Sequence, residues 1–435
     1  MADPFASVFV VVPRDRFQRY FRIHARNAAT RFDGSGRALV LAELHAHQLD
    51  GIGLALHEGE RTCGGYFAFA TRAEAEAFVR SDRSREAMLA AEVAYIIDNP
   101  ATVDAWLPQV SEANLYATID HLSTGYRNRY YLTSTGYASA TWIRDTWQAL
   151  AAGRDDASVE LFTDCASCAT QPSVILTVEG TDLADEIVVL GGHLDSISNF
   201  GNGESMLAPG ADDDASGIAT LTEVIRVALG SGWKPRRTVM FMGYAAEEVG
   251  LRGSQAIASS FAAAGRDVVG VLQLDMTNYR AGAVPDMRLV TDYSNPALQA
   301  FMTGLFDAYL APMGLSRGTE TCGYACSDHA SWTAAGYPAG MMFEAGDLQG
   351  YFPYIHTRYD TLETMGESAA DSVKFAQFGL AFLGELAKSA IPVDVPKLPE
   401  CDGRQEVPAA LRALGAPKWL QGPVPRARPA RAGGR

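Results

Sequence analysis

A mixed α/β protein, with a largely parallel central sheet, helices on both of its faces and a small α/β domain ahead of it, is the fold class this sequence predicts. Three observations carry that expectation. From about residue 105 to 390, apolar runs of strand length alternate with helical stretches, the pattern of strands joined by crossover helices. Residues 1 to about 100 mix strand-like runs with helix-like ones instead. Finally, 435 residues at 48% hydrophobic and 20% charged provide for a full-sized core and two to three domains.

In chain order, residues 1–105 form the expected N-terminal α/β domain. Its strand-like runs are SVFVVV at 7–12, RALVLAEL at 37–44 and GYFAFA at 65–70, and its helix-like stretches are RAEAEAFVRS and SREAMLAAEV. Residues 106–391 form the main domain. Residues 392–435, rich in Pro, Arg and Gly and ending VPRARPARAGGR, read as a disordered tail, because so many prolines leave no room for a packed element.

Lys plus Arg at 36 against Asp plus Glu at 51 leaves a net charge of −15, whose field repels phosphate and argues against nucleic acid and anionic membranes as partners. No apolar run reaches the roughly 18 to 20 residues that span a bilayer. Residues 2–13 lack the basic start, long apolar middle and small-residue cleavage pattern of a signal peptide, so either a signal has been removed or the start is not the natural one. Two close cysteine pairs, Cys165/Cys168 and Cys322/Cys326, are compatible with disulfides in an oxidising compartment or with half of a metal site in a reducing one. The pairing of Cys63 and Cys401 is open.

Four strand-like runs end near potential metal ligands. DEIVVLGGHLDS ends on His193 and Asp195, RTVMFMGYAAEE on Glu247 and Glu248, VVGVLQLDMT on Asp275, and AGMMFE near Phe343. Open α/β sheets bind ligands outside the carboxyl ends of their strands, so these side chains should converge on one crevice. Two loops add PGADDDASG at 209–217 and PYIHTRYDT, which presents His356. Imidazole and carboxylate suit Zn²⁺, and a carboxylate can bridge two such ions about 3.5–4 Å apart.

In order and spacing, GGHLDS, GADDDASG, AAEEVGLRGS, QLDMT and YIHT resemble the motifs of the co-catalytic two-zinc aminopeptidases, secreted exopeptidases of the leucyl aminopeptidase type. The resemblance spans roughly residues 108 to 390 and implies a zinc exopeptidase-like fold. It also implies two zinc ions: His193 and Asp275 on one, Glu248 and His356 on the other, and Asp213 between them, with Asp212 or Asp214 as the alternative bridge. Glu247 would be the general base that takes a proton from a water held by both zincs, the hydroxide attacking the first peptide bond. Asp195 would orient the His193 ring through its second N–H.

In the same family Cys322 and Cys326 correspond to a disulfide pair, and Tyr324 between them would donate its hydroxyl to the tetrahedral oxyanion. Cys165 and Cys168 read as a small loop-stapling disulfide. Met276, Phe343 and Ile355 would line an apolar pocket with Tyr324, giving a preference for leucine-like first residues. The expected substrate is then a peptide or protein N-terminus, the expected location secreted or periplasmic, the expected state a monomer, and the first domain a pro-region. The alternatives are another amide hydrolase or a one-zinc glutaminyl cyclase on the same scaffold, or a peptidase-like binding domain without metals. The alternating histidines of ELHAHQLDG have no carboxylate spaced to complete a metal site.

Overall fold

Valines on both sides of SVFVVV have a packing consequence: β1 (Ser7–Pro13) is covered on each face. A computed structural model of the chain describes residues 5–34, 36–60, 65–82, 95–280, 285–344 and 352–388. The expected helix SREAMLAAEV, the C-terminal tail, Cys63 and Cys401 lie outside the described residues. The first sheet has the order β2-β3-β1-β4, adding β2 (Asn27–Phe32), β3 (Ala38–His45) and β4 (Phe67–Phe69) to β1, and its pairings are antiparallel. Val8, Val10 and Val12 pack with Phe17, Phe21, Ile52 and Leu56 in the small domain's own core. From the other face Val11, Leu39, Leu41 and Phe67 pack against Leu251, Ala325 and Ala330 of the main domain.

The second sheet has eight strands in the order β11-β10-β12-β9-β7-β8-β6-β5. They are β5 (Ala157–Phe162), β6 (Ser173–Val178), β7 (Leu183–His193), β8 (Arg237–Tyr244), β9 (Asp267–Gln273), β10 (Met287–Val290), β11 (Arg317–Glu320) and β12 (Ala339–Phe343). The four central strands, β12, β9, β7 and β8, run parallel, while β6 and β10 flank them antiparallel. Helices Glu112–Thr124, Ser134–Leu150, Ala215–Gly230 and Ala370–Ala387 build the larger core on one face. Helices Arg252–Ala263 and His329–Ala334 build the smaller core on the other, around Ile257 and Trp332. The expected fold class is therefore the observed one, helices lying on both faces of a mostly parallel sheet.

Two indoles inside the larger core are partnered: the Trp106 N–H donates to Ser231 Oγ and that of Trp147 to Thr222 Oγ1, each at 3.0 Å. Residues 95–106 pack against this second body. Tyr95 donates to Val269 O, the Asp98 and Asn99 amides donate to Glu385, and helix Pro100–Trp106 packs on helix Ala370–Ala387.

His121 stacks on Trp142 with no hydrogen-bond partner for either ring nitrogen among the described residues, and burial pushes its pKa down to about 4. The folded state keeps this ring neutral, whereas the unfolded chain protonates near pH 6.5. Its contribution to stability is therefore complete above about pH 6.5 and is lost as pH falls toward 4. His121→Phe should lose less Tm between pH 8 and 4.5 than the parent, by about 2–4 °C, in circular-dichroism melts; parallel Tm curves would refute the assignment.

Candidate metal centre

Parallel strands end at the same edge of a sheet, and here that edge collects the acids. His193 is the last residue of β7, the turn after β8 presents Glu247 and Glu248, Asp275 lies two residues beyond β9, and Phe343 ends β12. Asp212, Asp213 and Asp214 precede helix Ala215–Gly230, and Asp214 caps it by accepting the Gly217 amide at 2.8 Å. The loop carrying His356 closes the cluster. Ala246, Met276 and His356 hold φ of 55°, 51° and 54°, left-handed conformations that cost of order 1–3 kcal/mol each and tend to gather at functional sites.

Asp213 stands between the histidines: one carboxylate oxygen is 2.9 Å from His193 Nε2 and the other 2.9 Å from His356 Nε2. His193 Nε2 is also 3.7 Å from Asp275, and His356 Nε2 is 2.8 Å from Glu248. Two groups could each hold a cation, His193 with Asp214 and Asp275, and Asp213 with Glu248 and His356, their ligand atoms lying within 4.8 Å of one another. The first group contains Asp214 rather than Asp213, yet both Asp214 oxygens already accept backbone amides, from His193, Gly217 and Met276. Asp213, by contrast, turns one oxygen toward the imidazole of each group.

All of these side chains are buried. Burial and the neighbouring Glu248 and Asp275 raise the Glu247 carboxyl well above its ordinary range, against the pull of His193, and burial with Asp213 pushes Glu248 up to about 7. Burial would lower His193, but Asp275, Asp195 and Asp213 hold its imidazole well above the usual value. Among the described residues both carboxylate oxygens of Glu247 and one oxygen of Asp275 have no hydrogen-bond partner. Leaving buried acids uncompensated costs several kcal/mol per charge, and cations are the natural complement. A set of imidazole nitrogens and carboxylate oxygens fits zinc.

Asp195 lies 3.5 Å from His193 Nδ1, longer than an ordinary hydrogen bond. Its oxygens instead accept the amides of Glu247 at 2.9 Å and Glu248 at 3.2 Å, which fixes the turn carrying that pair. Cys322 and Cys326 are joined, as are Cys165 and Cys168. Tyr324 is buried, and the Arg16 guanidinium from the N-terminal domain lies 3.4 Å above its ring centroid. Met276, Phe343, Ile355 and Tyr324 share one apolar cluster with Met341 and Phe352.

Three supporting residues were not singled out from the sequence. Asp360 accepts the amides of Asp212 at 2.8 Å and Asp213 at 3.1 Å, Ser327 donates to Asp275 at 2.6 Å, and Arg129 is buried behind the cluster. Asp360 stands four residues after His356 in YIHTRYDT and was within reach of a motif reading. Ser327 and Arg129 carry no local signal, since their roles come from tertiary packing.

The sequence profile of peptidase family M28 matches residues 173–380. Leucine aminopeptidase 1 of Coccidioides posadasii is 37% identical over 295 residues, covering 65% of this chain and 72% of that protein. Among solved structures, LapB of Legionella pneumophila superimposes with a TM-score of 0.73 at 28% identity, over 88% of this chain and all of the other. The LapA aminopeptidase of the same organism gives 0.73 at 26% identity over 89% and 100%. Shares that large cannot be reached without part of the first 105 residues, so the likeness extends into the N-terminal domain.

Because Asp195 holds the Glu247–Glu248 turn and neighbours His193, Asp195→Asn should weaken zinc binding about 10–100-fold in a chelator competition. Unchanged affinity in a folded variant would refute that role.

Proposed function

The chain belongs to peptidase family M28 and is a metallo-aminopeptidase, and on that premise we propose that it removes leucine-like apolar residues from the N-termini of peptides and proteins at a two-zinc centre. His193 and Asp275 would hold one zinc, Glu248 and His356 the other, and Asp213 would contribute to both sites. The observation that carries this reading is the 2.9 Å approach of the two Asp213 oxygens to two different imidazoles. When bound, zinc polarises a carbonyl oxygen and lowers the pKa of a water.

The chain's own groups do the rest. Glu247 accepts the proton of the attacking water and returns it to the leaving amine; its buried carboxyl, raised well above the ordinary range, suits it to holding that proton. Asp195 keeps Glu247 aimed by anchoring its amide. Tyr324 donates its hydroxyl to the oxyanion. The apolar cluster of Met276, Phe343 and Ile355 receives the first side chain and excludes water from it.

We further propose that the N-terminal domain is a pro-region covering this site, in a protein made for an oxidising compartment. Arg16 lies on Tyr324, and Ala68 N donates to Gly250 O, two residues past Glu248. Two disulfides suit secretion, and no helix of the described residues is long and apolar enough to cross a membrane.

Hydrolysis of leucine p-nitroanilide should disappear on chelation and return with zinc, and Glu247→Gln should lower kcat about 10²–10⁴-fold with KM and zinc content near the parent's. A Glu247→Gln enzyme of normal kcat, or activity indifferent to chelation, would overturn the mechanism. In the full chain, Arg16→Ala should raise kcat/KM about tenfold, the effect of releasing about 1.4 kcal/mol of occluding contact; the pro-region reading fails if neither this change nor proteolytic removal of the first domain raises it.

A further inference from the structure

Arg129 is a buried group that this reaction scheme does not use. It is 1% exposed, and its guanidinium donates only to backbone carbonyls: Nε to Leu194 at 3.0 Å, Nη1 to Pro209 at 2.6 Å and Leu122 at 3.2 Å, and Nη2 to Gly210 at 2.8 Å. Leu194 separates His193 from Asp195, and Pro209 and Gly210 open the loop that delivers Asp213. A Cβ on Gly210 would stand 2.9 Å from Nη2 and 2.6 Å from Ser196 Cβ, so the glycine is what allows the guanidinium this close.

The backbone of Arg129 reaches the third loop. Its carbonyl accepts Gln171 Nε2 at 2.9 Å, and Gln171 Oε1 accepts the amide of Ala246, the residue before Glu247, at 3.2 Å. Its amide donates to Ser196 Oγ at 3.1 Å, and that hydroxyl donates to Ala208 O at 2.9 Å. The segments bearing His193, Asp213 and Glu247–Glu248 are thus tied to one residue, which lies outside the stretch matched by the family profile.

We propose that Arg129 is a positioning residue that sets the spacing of these three segments, and through them the geometry of the cation sites. This rests on the reading of the cluster as the metal centre. An arginine is required for two reasons. Its planar fork carries five donors in fixed directions, enough to span two loops, whereas lysine offers one compact ammonium on a flexible stem. Its permanent charge also sits among Asp195, Asp213, Asp214 and Asp360, offsetting part of the repulsion between carboxylates that must be held together before any cation arrives.

The test is a Co²⁺ titration of the metal-free full chain, followed through the visible d–d absorption, with kcat and KM for leucine p-nitroanilide measured after zinc loading. Arg129→Lys should bind cobalt about 10–100-fold more weakly, the range for groups that support metal ligands, with altered band positions and intensities. Its kcat should fall while KM stays within about twofold, a split that simple loss of stability does not produce. Gln171→Leu, which cuts only the tie to Ala246, should shift the spectrum in the same direction by less. A folded Arg129→Lys with the parent's spectrum and affinity overturns the positioning role while leaving the metal centre intact. If Arg129→Lys does not fold, an unchanged spectrum in Gln171→Leu overturns it. No cobalt bound by the parent protein would overturn the metal reading and the role of Arg129 together.

Discussion

Carboxylates buried beside one another repel, and the arrangement of the main domain follows from holding a group of them together at one edge of its sheet. Water is excluded there, so each charge has to be met by the protein or by a bound cation. Backbone amides meet part of it: Asp214 takes three, and Asp195 and Asp360 two each. The start of helix Ala215–Gly230 adds the positive end of its dipole next to Asp214. Arg129 supplies the permanent counter-charge. What these leave without a donor, among the described residues, includes both oxygens of Glu247 and one of Asp275.

This division of labour explains why the acids are spread over so many elements. A single loop could not bring two imidazoles to opposite oxygens of one carboxylate, whereas parallel strand ends, set side by side by their ladder hydrogen bonds, present their residues at fixed spacing. The left-handed residues Ala246, Met276 and His356 then turn the chain sharply where a regular strand or turn would aim a side chain elsewhere.

The sheet and most of the cluster were legible because each parallel strand announces itself as an apolar run stopping at a His, Asp or Glu. GGHLDS, AAEEVG and QLDMT are such stops, and together they indicate a shared edge. Less legible was β2, whose alternation is mostly polar because it is the outer strand of its sheet. The partners of Asp195 were legible only in part: its place two residues from His193 on an extended chain suggests the contact with the ring, 3.5 Å from Nδ1, whereas the amides of the next loop, which come closer, were not foreseeable because a loop's path is not written in its neighbour's sequence. Arg129 was invisible for the same reason, as an arginine in a polar stretch reads as surface until the carbonyls around it are known. The double-sided apolar character of β1 was present in SVFVVV, although the surface that covers its second face was not.

The anchoring of residues 95–99 to Val269 and Glu385 fastens the far end of the backbone route from the N-terminal sheet to the main domain, and among the described residues no disulfide joins the two. While the chain is whole, the sheet faces its docking surface at an effective concentration in the millimolar range, whatever the dilution of the protein. After a single break ahead of Tyr95, with no such crosslink, the two pieces become separate molecules, and the contacts of Val11, Leu41 and Phe67 with Leu251 and Ala325 must hold at the actual concentration of the protein. Occupancy of that surface then changes from a property of one molecule to a property of the solution, and dilution alone shifts it.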